Sequence, residues 1–437
     1  MASDILSDIK ERLLNKNIHE VRQIARAIGV SCPTDGKKGR IIDDIIAIAS
    51  LEIAPAPRSA RGAPPKSSDF DEDLVNDIRE CMKYHTALRE GSEPVLRVEA
   101  VSDGTESVRC AGILEHGEKY FFLRVNGCLA SADDVFVPDT LVHRFHLKEG
   151  DFVEGECKRR AGEGAGLTKV TYVNGVSPDS LVRRSFENLT PVYPHERINL
   201  DVVTGDTAAR MAGLFAPVGK GQRAVVSAPA NSGKTTLVKQ IATAISRDES
   251  ITLVLLLIAE RPEVVTDIKR SVDGAKIFYT PFEMSKEAHE KSAELVTEFC
   301  KNSAECGDDV VLIVDGLSKL GGAAKQLLSS AICAEEGGSV TVIATVSAEG
   351  EYSSEHSQEL ISYSNMRLIL SAEAAAERIF PAIDILKSFT ANCALLQSDA
   401  ERATADSLRK EFKSSGNLQK IIKLFTDTKN NTEIING

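Results

Sequence analysis

The sequence predicts a multidomain chain: a small N-terminal helical bundle, a closed β-barrel, and a larger α/β domain built on a parallel sheet. Three observations predict it. Apolar residues recur at helical spacing over the first 50 positions. From about Val95, short alternating runs are broken by turn residues. Beyond Pro191, uninterrupted apolar runs of strand length alternate with helical stretches. With 437 residues, 42% hydrophobic and 27% charged, the composition excludes a collagen-like, wholly disordered or disulfide-scaffold chain. The longest uncharged apolar run, Ile251 to Ala259, is of strand length, well short of the ~18 residues a membrane span needs, so no membrane partner is expected. The N-terminus, MASDILSDIKERLL, lacks the features of an export leader. The nine cysteines form no C-x-x-C pair, so reduced thiols, a cytoplasmic location and no zinc site are expected.

The first domain is expected over residues 1–50. Ile5, Ile9, Leu13 and Leu14 share one helical face, and Val21, Ile24, Ala25 and Ile28 another, after Asn17. A turn at Cys32 to Gly36 precedes a third face of Ile41, Ile42, Ile45, Ile46 and Ile48. A Pro/Ala/Ser-rich linker, extended in character, is expected over 51–75. Residues 76–178 are expected to hold a leading helix and a barrel. Its strands are read at Val108 to Leu114, Tyr120 to Val125, Val135 to Val137, Phe152 to Cys157 and Lys169 to Val173. Residues 179–437 are the α/β domain, with buried strands at Ala224 to Ser227, Leu253 to Ile258, Val310 to Val314 and Val340 to Ala344. Helical stretches such as Glu287 to Cys300 and Ala324 to Ala334 lie between strands.

Ala228-Pro229-Ala230-Asn231-Ser232-Gly233-Lys234-Thr235 lies between a buried strand and the helix Thr236 to Ser246. It fits a phosphate-binding loop except that Ala228 replaces the first glycine. Backbone N–H groups around Ser232, Gly233 and Thr236 are placed to wrap phosphates, Lys234 to reach the outer ones, and Thr235 to offer a hydroxyl to Mg²⁺. ATP and Mg²⁺ are therefore the expected cofactors. Asp315 ends the strand Val310 to Val314, where it could hold the Mg²⁺ shell; the alternative is an exposed loop aspartate. Glu260 ends another strand, where it could polarise a water; the alternative is a surface ion pair with Arg261. Phosphate loop and two carboxylates at one sheet edge make an ATPase site, since ligands gather at the carboxyl ends of such strands.

Further motifs carry a resemblance. Phe186-Glu187-Asn188-Leu189-Thr190-Pro191, Pro217 to Arg223, APANSGKT, LLIAERPEVVTD, EEGGSVTVIAT and Arg378 to Asp384 stand in the order and spacing of the bacterial transcription termination factor Rho family, which the chain resembles over most of its length. ILEHGEKYFFLR, ADDVFV and HRFHLKEGD are similar to that family's cold-shock (OB-type) RNA-binding barrel. The resemblance implies a RecA-like P-loop ATPase domain, a homohexameric ring, single-stranded RNA as partner, and contact with RNA polymerase or elongation factors. It implies Glu260 as catalytic base, Asp315 as the magnesium-site acid, Arg261 near the nucleotide and Phe380 stacked on adenine. In the barrel it places Tyr120 and Phe122 against bases, with Arg124, Asp134, Phe136 and Arg144 nearby. Alternating aromatics beside a cation form a stacking platform independently of any family; the alternative is that Tyr120, Phe121 and Phe122 are barrel core.

The departures are as specific. Ala259 stands where the family has aspartate, and Ala391 where it has the arginine that reaches into a neighbouring subunit; Arg378 is the remaining candidate cation. Gly316 to Gly322 runs almost straight into a helix, where the family has a long RNA-gripping loop, and Val346 to Ser357 carries acids and no lysine. The net charge of −12 also argues against RNA binding by bulk electrostatics, although residues 1–66 carry eleven Lys/Arg against eight Asp/Glu. Two readings follow. One is a Rho-type RNA-dependent ATPase that releases transcripts. The other is an ATP- and RNA-binding regulator or scaffold with little hydrolysis, alone or in a mixed ring with a paralogue.

Overall fold

Two helices carry the apolar faces of the N-terminal region, Ile18–Ile28 and Lys38–Ala49. The first opens on a reciprocal cap: Asn17 Oδ1 accepts from the Glu20 amide at 3.0 Å, and Glu20 Oε2 accepts from the Asn17 amide at 2.9 Å. Val21, Ile24, Ala25 and Ile28 pack with Ile9, Leu13, Ile41, Ile42, Ile45 and Ile48 into one core. The computed structural model describes residues 9–10, 12–13, 16–28, 38–49, 74–75, 78, 106–159, 164–203, 206–347 and 354–436. Ile5, Leu14 and most of the 51–75 linker lie outside these. Leu74 and Val75 at the linker's end, and Ile78 in the stretch read as the barrel's leading helix, are helical and buried in this N-terminal core. Residues 1–97 accordingly form one compact unit and 98–437 a second.

In the second unit, β1 (Glu106–His116), β2 (Phe121–Arg124), β3 (Val135–Val137), β4 (Phe152–Arg159) and β5 (Ala165–Val173) close into a barrel in the order β1-β2-β3-β5-β4. Alternation sends Leu114, Leu123, Val135, Val137, Val153 and Val173 inward. On the outer face of β1, Ile113 packs instead into the core of the α/β domain.

That domain carries β6 (Pro191–Val192), β7 (Arg197–Ile198), β8 (Val218–Gly219), β9 (Arg223–Ala228), β10 (Ile251–Glu260), β11 (Lys276–Pro281), β12 (Asp309–Asp315), β13 (Ile332–Ala334), β14 (Ser339–Ser347), β15 (Met366–Ile369) and β16 (Phe389–Thr390). The main sheet runs β11-β10-β12-β14-β9-β15-β16, parallel except at β16. On β10, Leu253, Leu255 and Leu257 enter one core layer, while Val254, Leu256 and Ile258 enter the other. Both faces are covered, which is why the sequence shows runs rather than alternation. The helix read from Ala324 to Ala334 spans only Ala323–Ser329, because Ile332–Ala334 is drawn into the sheet as β13 between β14 and β6. Among the described residues no helix is long and apolar enough to cross a membrane.

Candidate functional site

The loop after β9 is shaped by two residues in the left-handed region, Asn231 (φ 58°) and Gly233 (φ 85°), and by Ser232, whose buried hydroxyl donates to Pro229 O at 2.7 Å. Gly233 caps the helix Lys234–Ile245, so the helix's free N–H groups face the loop. Ala228 to Asn231, Gly233 to Thr236 and Ser347 line a cavity of about 340 Å³. Phe380, 47% exposed, stands over Gly233; a Cβ on that glycine would sit 3.4 Å from the ring.

Asp315 is wholly buried, so the exposed-loop alternative is excluded. Its Oδ1 meets Lys234 Nζ at 3.0 Å and accepts from Thr345 Oγ1 at 2.7 Å, while Oδ2 accepts from Thr235 Oγ1 at 3.3 Å. Three donors offset the cost of burying the charge. The hydroxyl and carboxylate proposed for a cation are thus neighbours, and they fit an oxygen-liganded divalent ion.

Glu260 does not pair with Arg261. Its partner is Lys319, 3.2 Å from Oε1, on the short turn after β12. Ala259, Glu260, Arg261, Pro262, Glu263, Phe282 and Lys319 line a second cavity of about 630 Å³. Arg378 (φ 61°) is exposed, and no ion pair of it is found among the described residues. Ala391 is exposed after β16, and Lys387, the nearby cation, is paired with Asp384 at 3.1 Å. Leu317, Leu320, Ala324, Leu327 and Leu328 bury the segment after Asp315 in the domain core. Of the second loop, 348–353 lie outside the described residues.

On the barrel, Tyr120 (51% exposed) and Phe136 (36% exposed) meet edge to face at 5.5 Å between ring centres, and Phe122 meets Phe136 at 6.2 Å. Phe122 and Phe136 face each other across the β2–β3 pair, whereas Phe121 packs against the barrel core. Arg124 lies over Phe122 at 5.7 Å, clamped between Glu115 and Asp134 and only 11% exposed. Burial opposes its charge, but the two carboxylates outweigh burial and raise its pKa. Asp134 also accepts from the Ser131 amide at 2.8 Å. Arg144 lies over Phe145 instead.

Sequence reasoning missed Lys319, Thr345, Thr280, His289 and Glu115. Lys319 and Thr345 had a signal, since each stands at or just beyond the carboxyl end of a strand that abuts the site. Glu115 had none, because its partner Lys291 is distant in sequence.

Residues 110–179 match the family described as "Rho termination factor, RNA-binding domain", and residues 209–332 match "ATP synthase alpha/beta family, nucleotide-binding domain". The transcription termination factor Rho of Streptomyces coelicolor is 39% identical over 305 residues, 64% of this chain and 72% of that protein. That of Borreliella burgdorferi is 36% identical over 340 residues, 70% of this chain and 66% of that protein. That of Thermotoga maritima is 32% identical over 386 residues, 80% of this chain and 90% of that protein. Identity at this level over most of both chains, with the barrel and the nucleotide domain in the same order, places the chain in the Rho family of transcription termination factors.

Proposed function

We propose that this chain is a Rho-type transcription termination factor that binds single-stranded RNA on its barrel and hydrolyses ATP at the phosphate loop. The observation that carries the reading is the meeting of Lys234, Thr235 and Asp315 beneath that loop, with Glu260 at the neighbouring strand end. Lys234 reaches the outer phosphates, Phe380 and Arg261 flank the nucleotide, and Glu260 orients the attacking water. Thr235 and Asp315 would hold Mg²⁺, which withdraws charge from the phosphate oxygens. Tyr120, Phe122 and Phe136 stack on bases, and Arg124 with Asp134 fixes the platform's edge. The working form is a homohexameric ring or a mixed ring with a paralogue, in the cytoplasm, in contact with RNA polymerase or elongation factors.

Three observations favour the second reading, a regulator with little turnover. Ala391 offers no cation to a neighbour, Lys387 is tied to Asp384, and the segment after Asp315 is packed into the core where RNA would have to be gripped. An ATPase assay with and without RNA, and with a paralogue added, tests both. Slow hydrolysis that RNA barely stimulates is expected. Rapid, strongly RNA-stimulated hydrolysis would make the chain an active motor. Lys234→Ala should abolish nucleotide binding in a direct titration, and undiminished ATP affinity would overturn the site.

A further inference from the structure

Ala259 is in the left-handed region at φ 50°, within β10 and directly before Glu260. Alanine has no conformational reason to be there, so the surroundings must hold it. The pairing of β10 with β11 shifts register between Ile258 and Glu260, which turns the glutamate away from the regular strand.

Two sets of groups hold this kink. On one side, the Ala259 amide donates to Thr280 Oγ1 at 3.1 Å, and the same hydroxyl lies 2.8 Å from His289 Nδ1. The hydroxyl accepts from the Ala259 amide, and its second lone pair or its proton meets the imidazole nitrogen according to the tautomer. The His289 pKa is lowered by burial and by the charge of Lys319. On the other side, Lys319 Nζ reaches Ile258 O at 2.7 Å, Ala259 O at 3.1 Å and Glu260 Oε1 at 3.2 Å. An ammonium has three protons, and here three consecutive residues take them all. The lysine stem crosses Gly316 (φ 101°), where a Cβ would sit 3.1 Å from Lys319 Cδ and 3.0 Å from Ile258 O.

We propose that Lys319 is a positioning residue for hydrolysis, fixing Glu260 by clamping the left-handed Ala259 and the glutamate's own carboxylate. The proposal rests on Glu260 acting as the base. With its protons committed inside the chain, Lys319 acts through Glu260 rather than on the phosphoryl group. It also ties Glu260 to the turn after Asp315, so one short segment sets both carboxylates of the site.

The test uses the full chain, radiolabelled ATP in single-turnover reactions, and a separate ATP titration. Lys319→Ala should slow hydrolysis about 10- to 100-fold, the range a small misplacement of a catalytic group produces, with ATP affinity unchanged. Lys319→Arg, which keeps the charge and the reach, should restore most of the rate. In a Glu260→Gln background, Lys319→Ala should cost nothing further, since the group it positions is gone. A parental rate in Lys319→Ala, or an equal loss in the Glu260→Gln background, overturns the proposal. A parental rate in Glu260→Gln alone overturns the base assignment instead. Hydrogen exchange of the amides over 258–261 reads the clamp without turnover. Faster exchange in Lys319→Ala supports it, and unchanged exchange overturns it.

Discussion

At the scale of single residues, the proposed site gathers groups to hold a nucleotide but, on that reading, lacks a cation from a neighbour for transferring its terminal phosphoryl group. Asp315 pairs with Lys234 and accepts from Thr235 within one chain. The charge that develops on the transferring oxygens calls for a further cation, and an arginine supplied from outside is worth about 10³–10⁵ in rate in GTPases. Ala391 supplies none. Because Ala391 is exposed and its amide is already anchored to Asn365 O at 2.8 Å, a longer side chain there points to solvent without disturbing the fold. Ala391→Arg should therefore raise hydrolysis in the assembled protein with little change in melting temperature. An unchanged rate in a folded, assembled variant would show that the missing arginine is not what limits turnover.

At the scale of elements, β2 and β3 present an aromatic face, and the cation that lies over it, Arg124, is spoken for. Arg124 is held by Glu115 and Asp134, so it braces the platform more than it neutralises phosphate. Binding then depends on stacking, worth about 1–3 kcal/mol per base. Tyr120→Ala combined with Phe122→Ala should weaken single-stranded RNA binding at least about tenfold, and the parent's affinity should fall only gently with salt. Filter binding or fluorescence anisotropy across a salt series checks both; a double variant that binds RNA as the parent does would refute the platform. The alternation of Tyr120, Phe121 and Phe122 was legible in the sequence because strand periodicity alone decides faces. The sequestration of Arg124 was not, because Glu115 and Asp134 reach it from separate parts of the chain, and Lys291 reaches Glu115 from farther still.

At the scale of the second unit, the helix Lys286–Glu305 is the cradle that joins barrel to α/β domain. Lys291 pairs with Glu115, Glu305 takes Lys148 at 2.7 Å and the Phe186 amide at 2.7 Å, and Asn302 donates to Glu149 O at 2.9 Å. Gly150 (φ 88°) lies so close to the helix that a Cβ would sit 2.6 Å from Glu298 Cβ. Burial pushes the Glu115 carboxyl up, but hydrogen bonds from Arg124 and Lys291 outweigh it and hold it below the usual 4.5. A carboxyl depressed in the folded state stabilises fully above its unfolded pKa and loses that contribution as pH falls through the folded value. Glu115→Gln should thus destabilise the protein at pH 7, and the gap to the parent should close in acid, below about pH 4.5. Denaturation midpoints at pH 7 and about pH 3.5 would show this; a gap independent of pH would mean that Glu115 acts by shape rather than charge.

The sequence by itself determined the three kinds of structure, the phosphate loop and the strand-end carboxylates. Each is written locally, in apolar period, in the G-K-T after a buried run, and in the residue that ends a strand. The family resemblance also implied that Ala391 stands where the family has an arginine. Tertiary structure alone decided which charges meet. An ion pair with Arg261 was the alternative the sequence left for Glu260, yet its partner is Lys319, because β10 and β12 lie side by side and the turn after Asp315 folds back over Gly316. Leu74, Val75 and Ile78 joined the N-terminal core because apolar side chains go to whichever core they can reach, and periodicity does not say which. The Glu260–Lys319 pair and this shared core are long-range in the chain, and no local pattern encodes such partners.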